Sequence, residues 1–309
     1  MADGPGELEA VVMGRVGVDL YPMQLEVPLE DVEGFHKYVG GFAGNVATGL
    51  ARLGVRTAIV SAVGADGHGR FVRRFLEGEG VDCRWLDMHP TLRTALAFCE
   101  AWPPDRFPIT FYRTPTCPDW EISPGSLDLE ELARPPLAYV SGTGFAIEPS
   151  RSATMAAMEV RAGHGVTTVL DLDWRAALWH DAANYAAAMR RAAPLADVVL
   201  GSDEELEAAV DSSDPAPLIS LGVGVVAHKH GPRGATIHTA GAAPAAVAAH
   251  TVDVVNGLGA GDAFAAAFGW RLLRGDAPAA AAEYANRAGA HVAARLGCSI
   301  AMPHEGDLL

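Results

Sequence analysis

The chain has 309 residues, of which half are hydrophobic and a fifth are charged, so it can form one large α/β domain with a substantial core. Its formal net charge of -15 disfavours nucleic acid and anionic membranes as partners, because both are bound mainly through lysine and arginine. The four cysteines are widely spaced and form no C-x-x-C pair, so we expect reduced thiols and a cytoplasmic location.

The first third of the chain begins with an apolar run. Residues 1–9 lack the basic start and apolar core of a signal peptide, and no later stretch is apolar for the length of a membrane span. Residues 9–19 predict one buried strand that ends in Gly and Asp. Residues 20–40 predict an irregular excursion. The next elements are predicted as a helix through residue 53, a strand at 57–63 and a helix at 67–77.

The middle and last parts of the chain differ in pattern. Residues 81–122 are rich in strand and turn signals, with paired strands predicted at 94–100 and 109–113. Strands and helices then alternate, which predicts a mainly parallel sheet covered on both faces, with ligands at the carboxyl ends of its strands. The strands are predicted at 137–142, 166–171, 196–201 and 223–228, and the helices at 150–163, 181–192, 203–210, 260–274 and 278–295.

A glycine-rich segment at residues 258–264, directly before an apolar helix, is the sharpest chemical feature. Glycines let the backbone approach an anion, and the first amides of a helix have no partners inside the helix. Asp262 falls in the first turn, where it could accept a proton from an attacking hydroxyl in phosphoryl transfer. The alternative is an ordinary turn with an aspartate cap. The candidate catalytic residues are Gly259, Ala260, Gly261 and Asp262.

This segment resembles the C-terminal signature of the ribokinase-like (PfkB) sugar kinases. Residues 40–54 and 63–69 resemble the N-terminal signature of the same family, so the resemblance covers essentially the whole chain. It implies one ribokinase-like three-layer α/β/α domain over residues 1–309, with a small β lid formed by about 20–39 and 92–122. It also implies an ATP-dependent phosphotransferase that uses Mg²⁺, with Asp262 as catalytic base, and a homodimer.

The resemblance also implies a substrate pocket. A carboxylate is a good acceptor for neighbouring hydroxyl groups, and a guanidinium binds a carboxylate through two parallel hydrogen bonds. Arg113 and Arg175 match positions in the sugar-acid kinases of the family, although each could instead form a surface salt bridge. The implied substrate-binding residues are Asp19, Gly40, Gly41, Asn45, Arg113 and Arg175.

On the nucleotide side, residues 228–234 resemble the family's Lys-x-Gly-x-x-Gly turn near the ATP phosphates, with a surface hairpin as the alternative. His228 and His230 in this turn are by themselves weak evidence for a metal site. Asn256 stands where the family commonly has an Asp that helps hold a monovalent cation, which makes a K⁺ requirement doubtful. The implied nucleotide-binding residues are Lys229, Gly231, Gly234 and Asn286.

Magnesium is assigned to Glu205 by the same resemblance. Glu205 fits the family's Asn-x-x-Glu position, whose carboxylate orients hydrated Mg²⁺, although Ser202 replaces the Asn. Mg²⁺ keeps several waters and needs few direct protein ligands, so this change is tolerable. The expected partners are therefore ATP and a small sugar acid. Another sugar kinase of the family is the alternative within the class, and a non-catalytic ligand-binding relative is the alternative outside it.

Overall fold

A computed structural model describes residues 7–309 of the chain. Most of the N-terminal stretch that is predicted to carry no signal peptide, residues 1–9, therefore lies outside the described residues. Among the helices of the described part, none combines the length and the apolar character needed to cross a membrane.

The central layer is a nine-stranded sheet. Its strands are β1 (Ala10–Met13), β4 (Thr57–Gly64), β5 (Asp82–His89), β8 (Leu137–Ser141), β9 (Thr167–Asp171), β10 (Val198–Ser202), β11 (Val225–Lys229), β12 (Ala235–Thr239) and β13 (Ala245–Val247). They lie in the order β13-β12-β11-β10-β9-β8-β1-β4-β5. The strands from β11 to β5 run parallel, whereas β12 and β13 form an antiparallel edge.

Helices cover both faces of this sheet. They are α1 (Phe42–Arg52), α2 (Gly67–Gly78), α3 (Leu129–Ala133), α4 (Ser150–Arg161), α5 (Ala182–Ala192), α6 (Asp203–Val210), α7 (Ala216–Ser220), α8 (Ala260–Leu273) and α9 (Pro278–Ala293). Alternate strand residues divide between two cores: Val12 and Ile59 pack with α1, α2, α8 and α9, whereas Val11 and Val60 pack with α3 to α7. The predicted three-layer α/β/α architecture is confirmed, with most element ends within a few residues of the predicted ones.

A second, four-stranded sheet lies beside the central one. Its strands are β2 (Gly17–Pro22), β3 (Phe35–Gly40), β6 (Leu96–Cys99) and β7 (Ile109–Tyr112), in the order β3-β2-β6-β7. The strands come from the two segments that were predicted to form a lid, except that β2 begins at Gly17 rather than at residue 20. This smaller sheet is built mainly from antiparallel pairs.

The prediction of a single strand over residues 9–19 is wrong. The chain leaves the central sheet after Met13 and joins the smaller sheet at Gly17, so the apolar run serves two sheets. Glycine permits this change of direction, because a Cβ at Gly17 would lie 2.5 Å from the carbonyl oxygen of Ala95. The residues between the strands, including Arg15, consequently stand at the junction of the two sheets.

The carboxyl ends of the parallel strands place the polar residues of the site. Ser141, Asp171, Ser202 and Lys229 are the last residues of β8, β9, β10 and β11, so all four lie at one edge of the sheet. Helix α8 also begins there, since Lys229 Nζ lies 3.6 Å from the position that a Cβ on Gly261 would take. The predicted topology places a bound ligand at this carboxyl edge of the sheet.

Candidate active site

A cleft with about 550 Å³ of empty space, part of it open to solvent, lies where the smaller sheet meets the carboxyl edge of the central sheet and the start of α8. Its walls combine polar groups from the central domain with apolar side chains from the smaller sheet, among them Phe111. The predicted residues that line it are Asp19, Gly41, Asn45, Arg113, Arg175, Gly259 and Asp262. The structure thus brings residues from both ends of the chain into one pocket.

The start of α8 provides a set of free backbone donors. Gly259 precedes the helix with φ of +81°, a left-handed conformation that favours glycine, and a Cβ there would lie 2.8 Å from Cys298 Sγ. The amides of Ala260, Gly261 and Asp262 are at the first positions of the helix, where no carbonyl of the helix can pair with them. Such an end favours an anion.

Asp262 stands in this first turn with its carboxylate in the cleft. Its Oδ2 accepts a hydrogen bond of 2.7 Å from Nδ2 of Asn45, which is buried on α1. Burial, with a smaller effect from the Asp173 carboxylate, raises the pKa of Asp262 above its ordinary value, although Asn45 and two nearby arginines oppose the rise. A carboxylate with a raised pKa is a stronger proton acceptor.

Asp19 lies on β2, also in the cleft. Burial raises its pKa to about 7, a rise that the Asp262 charge assists and Arg15 opposes. Gly40 is required at the paired strand because a Cβ there would overlap the Asp19 carboxylate. Gly41 has φ of +86°, and a Cβ there would lie 2.6 Å from the carbonyl oxygen of Arg15. The two glycines therefore make room for Asp19 and for the start of α1.

Two arginines share one carboxylate at the floor of the cleft. Arg15 Nη1 forms an ion pair with Asp173 Oδ2 and donates to Thr143 Oγ1 at 3.1 Å. Arg175 Nη2 lies 3.3 Å from Asp173 Oδ1. Although burial opposes ionisation, these two arginines hold the pKa of Asp173 below its ordinary value. We call this group the Arg15–Asp173–Arg175 cluster; it carries an excess of positive charge.

Arg113 is held more firmly than the sequence predicts. Its guanidinium is buried, pairs with Asp119 at 2.7 Å and lies 4.5 Å from the ring centroid of Trp120. Its Nε has no hydrogen-bond partner within the described chain. Arg113 therefore lines the cleft as a fixed positive charge with one donor to spare.

Arg15 and Asp173 were not among the predicted site residues. Arg15 lies within the apolar run that is predicted to form one strand, and it is buried. A charged residue in a buried run requires a partner of opposite charge. That requirement was the signal that could have identified it. Asp173 has φ of +38°, which directs the chain after β9 so that its carboxylate meets both arginines.

A second cluster lies beside the start of α8. Lys229 Nζ is 3.2 Å from Asp171 Oδ2 and 3.7 Å from Glu205 Oε2. Burial opposes the charge of the lysine, but Asp171 and Glu205 raise its pKa above the ordinary value. We call this group the Asp171–Lys229–Glu205 cluster; two carboxyl groups share one ammonium group next to Gly261, and burial raises the pKa of Asp171 to about 7 although Lys229 opposes the rise.

Ser202 explains how Glu205 is held. The Ser202 amide donates to Glu205 Oε2 at 2.7 Å, and the Glu205 amide donates to Ser202 Oγ at 3.3 Å, which together form a capping box at the start of α6. The backbone amide of Ser202 therefore holds the Glu205 carboxylate beside Lys229, while its hydroxyl caps α6.

The remaining predicted nucleotide residues lie outside the lining of the cleft. Gly231 and Gly234 belong to the turn after β11, and Gly234 has φ of +93°. Asn286 Nδ2 donates to the carbonyl oxygens of Val247 and Ala248 at 3.2 and 2.9 Å, so it braces β13. Its predicted contact with adenine remains a prediction.

The chain is similar to known carbohydrate kinases. A family model described as pfkB family carbohydrate kinase matches residues 8–305. The 5-dehydro-2-deoxygluconokinase of Bacillus velezensis is 30% identical over 98% of this chain and 94% of its own length. That of Clostridium tetani is 31% identical over 96% of this chain and 90% of its own length. A crystal structure of fructokinase from Vibrio cholerae O395, in its fructose-, ADP- and calcium-bound form, superposes with a TM-score of 0.85 at 27% identity and covers 98% of both chains.

Proposed function

Because the chain belongs to the pfkB family of carbohydrate kinases, we propose that it transfers the γ-phosphate of ATP to the 6-hydroxyl of 5-dehydro-2-deoxy-D-gluconate, a step of inositol catabolism. The observation that carries the proposal is the Asp262 carboxylate, which faces the cleft beside the free amides of α8. The printed names of the bacterial relatives support this substrate.

Asp262 acts as the general base. Its Oδ atoms face the pocket, its pKa is raised by burial, and Asn45 fixes its orientation. It removes the proton from the attacking hydroxyl as that oxygen bonds to the γ-phosphorus and the bond to the leaving ADP oxygen breaks. The amides of Ala260, Gly261 and Asp262 donate to the phosphoryl oxygens as their charge develops.

Lys229 supplies positive charge on the phosphate side. Its ammonium group is held by Asp171 and Glu205 next to Gly261, where the phosphates would meet the helix start. The carboxylates fit a divalent cation as well, because two acids share only one lysine and oxygen is the ligand that Mg²⁺ prefers. Mg²⁺, when bound through water to Glu205, would screen the phosphate charge. The ADP and calcium of the similar fructokinase support a nucleotide and a divalent cation here.

The arginines favour an acid over a neutral sugar. In the Arg15–Asp173–Arg175 cluster one carboxylate pairs with two guanidinium groups, and Arg113, which is itself paired with Asp119, lines the same cleft. An uncompensated buried cation is costly, so a substrate carboxylate would complete the site. Asp19 would accept hydrogen bonds from the substrate hydroxyl groups.

The smaller sheet is proposed to act as a lid. Its residues Leu96, Ile109 and Phe111 wall the cleft opposite the polar groups, which would keep water from competing with the sugar as acceptor. We further propose that the protein works in the cytoplasm as a homodimer. Sedimentation of the purified chain tests the dimer.

A coupled assay of ADP release tests the activity. The purified protein is offered 5-dehydro-2-deoxygluconate, 2-keto-3-deoxygluconate, fructose and a nucleoside, each with ATP and MgCl₂. We expect the highest kcat/KM with 5-dehydro-2-deoxygluconate. A preference for 2-keto-3-deoxygluconate or fructose would overturn the substrate but not the kinase activity. No ADP release with any acceptor would favour a non-catalytic ligand-binding relative.

Arg175→Gln tests the role of the arginines. Hydrogen bonds to charged groups are worth about 1.5–3 kcal/mol, so the KM for the sugar acid is expected to rise about 10- to 150-fold while kcat changes little. Arg134→Gln is the matched control, since Arg134 is exposed and pairs with Glu131 on the surface. An unchanged KM in Arg175→Gln would remove the arginine from the substrate site.

A further inference from the structure

A group of metal-binding side chains lies next to the phosphate side but outside the lining of the cleft. His228 is on β11, His230 follows that strand, and Asp203 begins α6. Asp203 Oδ1 lies 2.6 Å from His228 Nε2 and 3.2 Å from His230 Nδ1. One ligand atom from each residue falls within 4.8 Å of the others. The mechanism uses none of these three side chains.

Strand register explains why they meet. Ser202 of β10 pairs with Lys229 of β11, so Asp203, the next residue, stands beside the end of β11. Side chains alternate along a strand, which directs Lys229 towards Asp171 and Glu205 and His228 to the opposite face. His230 follows on the same side as His228, with ring centroids 4.1 Å apart. Neighbouring residues of one strand therefore serve two different sites.

His228 is the least satisfied member of the group. It is only 6% exposed, and its Nε2 has no partner in hydrogen-bond geometry within the described chain. The nearest carboxylate oxygen, Asp203 Oδ1, lies 2.6 Å from this nitrogen.

The other two ligands are already oriented. His230 Nε2 lies 3.0 Å from Thr236 Oγ1, which leaves Nδ1 turned towards Asp203. A hydrogen bond at the second ring nitrogen is the usual support for a metal-binding histidine. Arg233 binds Asp203 through Oδ2 at 3.0 Å, and this arrangement leaves Oδ1 to the two imidazoles.

We propose that Asp203, His228 and His230 form a binding site for a transition-metal ion of the Zn²⁺ class. Two imidazoles and one carboxylate suit Zn²⁺, with bonds of about 2.0–2.2 Å, whereas Mg²⁺ prefers oxygen ligands alone. The Asp203 Oδ1–His228 Nε2 distance of 2.6 Å needs to lengthen by less than about 1 Å to reach the ligand spacing around a tetrahedral ion. Such an ion would tie the start of α6, which carries Glu205, to the end of β11, which carries Lys229.

Calorimetric titration of the full-length protein tests the site. The protein is first treated with a chelator and then titrated with ZnCl₂ in excess MgCl₂, so that oxygen-only sites are filled. We expect one equivalent of Zn²⁺ to bind to the wild type, and at least about tenfold weaker binding in both His228→Asn and His230→Asn. His180→Asn, at an exposed histidine 2.8 Å from Asp181, is the matched control and is expected to bind like the wild type.

Two further variants separate a built site from surface binding. Thr236→Val removes only the support of His230, so Zn²⁺ affinity is expected to fall about tenfold, and Thr236→Ser is expected to restore it. Saturating ZnCl₂ should raise Tm in the wild type and in His180→Asn but not in Asp203→Asn, whose altered side chain is on the surface and should not disturb folding. Equal Zn²⁺ affinity in the wild type, His230→Asn and Asp203→Asn, or no stoichiometric binding at all, overturns the proposal.

Discussion

The two charge clusters beside the cleft are built with opposite signs. In the Arg15–Asp173–Arg175 cluster two guanidinium groups share one carboxylate, whereas in the Asp171–Lys229–Glu205 cluster two carboxylates share one ammonium group. The two aspartates are only two residues apart in the chain. The last residue of β9 and the turn directly after it thus place one carboxylate in each cluster.

The difference indicates which ligand each cluster is prepared to receive. Buried charges are expensive unless a partner balances them, so an excess of either sign favours a ligand of the opposite sign. The Arg15–Asp173–Arg175 cluster favours the carboxylate of a sugar acid. The Asp171–Lys229–Glu205 cluster favours a divalent cation. Asp262 interacts with both clusters, since its charge contributes to the raised pKa of Asp171 and the charge of Arg175 opposes the rise in the pKa of Asp262.

Asp262→Asn is expected to have the largest effect, because it removes the group that both clusters surround. A general base contributes about 10²- to 10⁴-fold, so kcat should fall by about that factor while ATP still binds. Single-turnover kinetics and ATP calorimetry measure the two quantities. Asp253→Asn, at an exposed aspartate before the same segment, is the control. Turnover within tenfold of the wild type would refute the assignment of the base.

Lys229→Met removes the lysine of the Asp171–Lys229–Glu205 cluster and should have the next largest effect on kcat. The variant leaves Asp171 and Glu205 without their shared cation and takes a positive charge away from the phosphates. Removing one such group commonly costs about 10²- to 10³-fold in kcat, and we expect the KM for ATP to rise as well. Lys37→Met is the matched control, because Lys37 is the other lysine of the chain and is exposed on β3.

If Lys229→Met lowered the affinity for the sugar acid but left the KM for ATP unchanged, the assignment of the two clusters would be reversed. Initial rates with each substrate varied in turn distinguish these outcomes. Circular dichroism of the variant shows whether the fold survives the loss of the ion pairs.

Local features of the site could be predicted from the sequence. The start of α8 depends on consecutive residues, Gly259 to Asp262, so the free amides and the carboxylate follow from the sequence alone. The alternation of strands and helices likewise predicted the three layers and the edge at which the cleft lies. Gly40 could be singled out, but its reason, the space needed by Asp19, is visible only in the strand pairing.

Features that depend on distant contacts could not be predicted in the same way. Arg15 contacts Asp173, which lies 158 residues away in the sequence. The residues around Arg15 do not indicate that the apolar run divides between two sheets. Arg113 was predicted to bind substrate, but its partner Asp119 depends on how the turn after β7 folds back. Charge balance inside a pocket is a property of the tertiary structure rather than of any one segment.

Asp19→Asn should have the smallest effect on turnover, because an Asn oxygen still accepts a hydrogen bond from a substrate hydroxyl group, and its stability tests whether the charge of the Arg15–Asp173–Arg175 cluster reaches β2. The pKa of Asp19 is raised to about 7 in the folded protein. Between the ordinary pKa and about pH 7, the folded state therefore keeps a proton on Asp19 that the unfolded chain has lost. Above about pH 7 the folded state carries the charged carboxylate, which lowers its stability. At about 1.4 kcal/mol per pKa unit, Asp19→Asn should stabilise the protein by up to about 4 kcal/mol at pH 8.

This gain should shrink as the pH falls towards 5, because the wild-type folded state then holds Asp19 protonated and only the unfolded chain still ionises it. Urea unfolding at pH 8, 6.5 and 5 measures the difference, with Asp31→Asn at an exposed position as the control for net charge. A gain that does not change with pH would mean that Arg15 balances the Asp19 charge fully. The excess positive charge of the Arg15–Asp173–Arg175 cluster would then already be neutralised by Asp19 on β2, and little of it would remain for the carboxylate of a substrate.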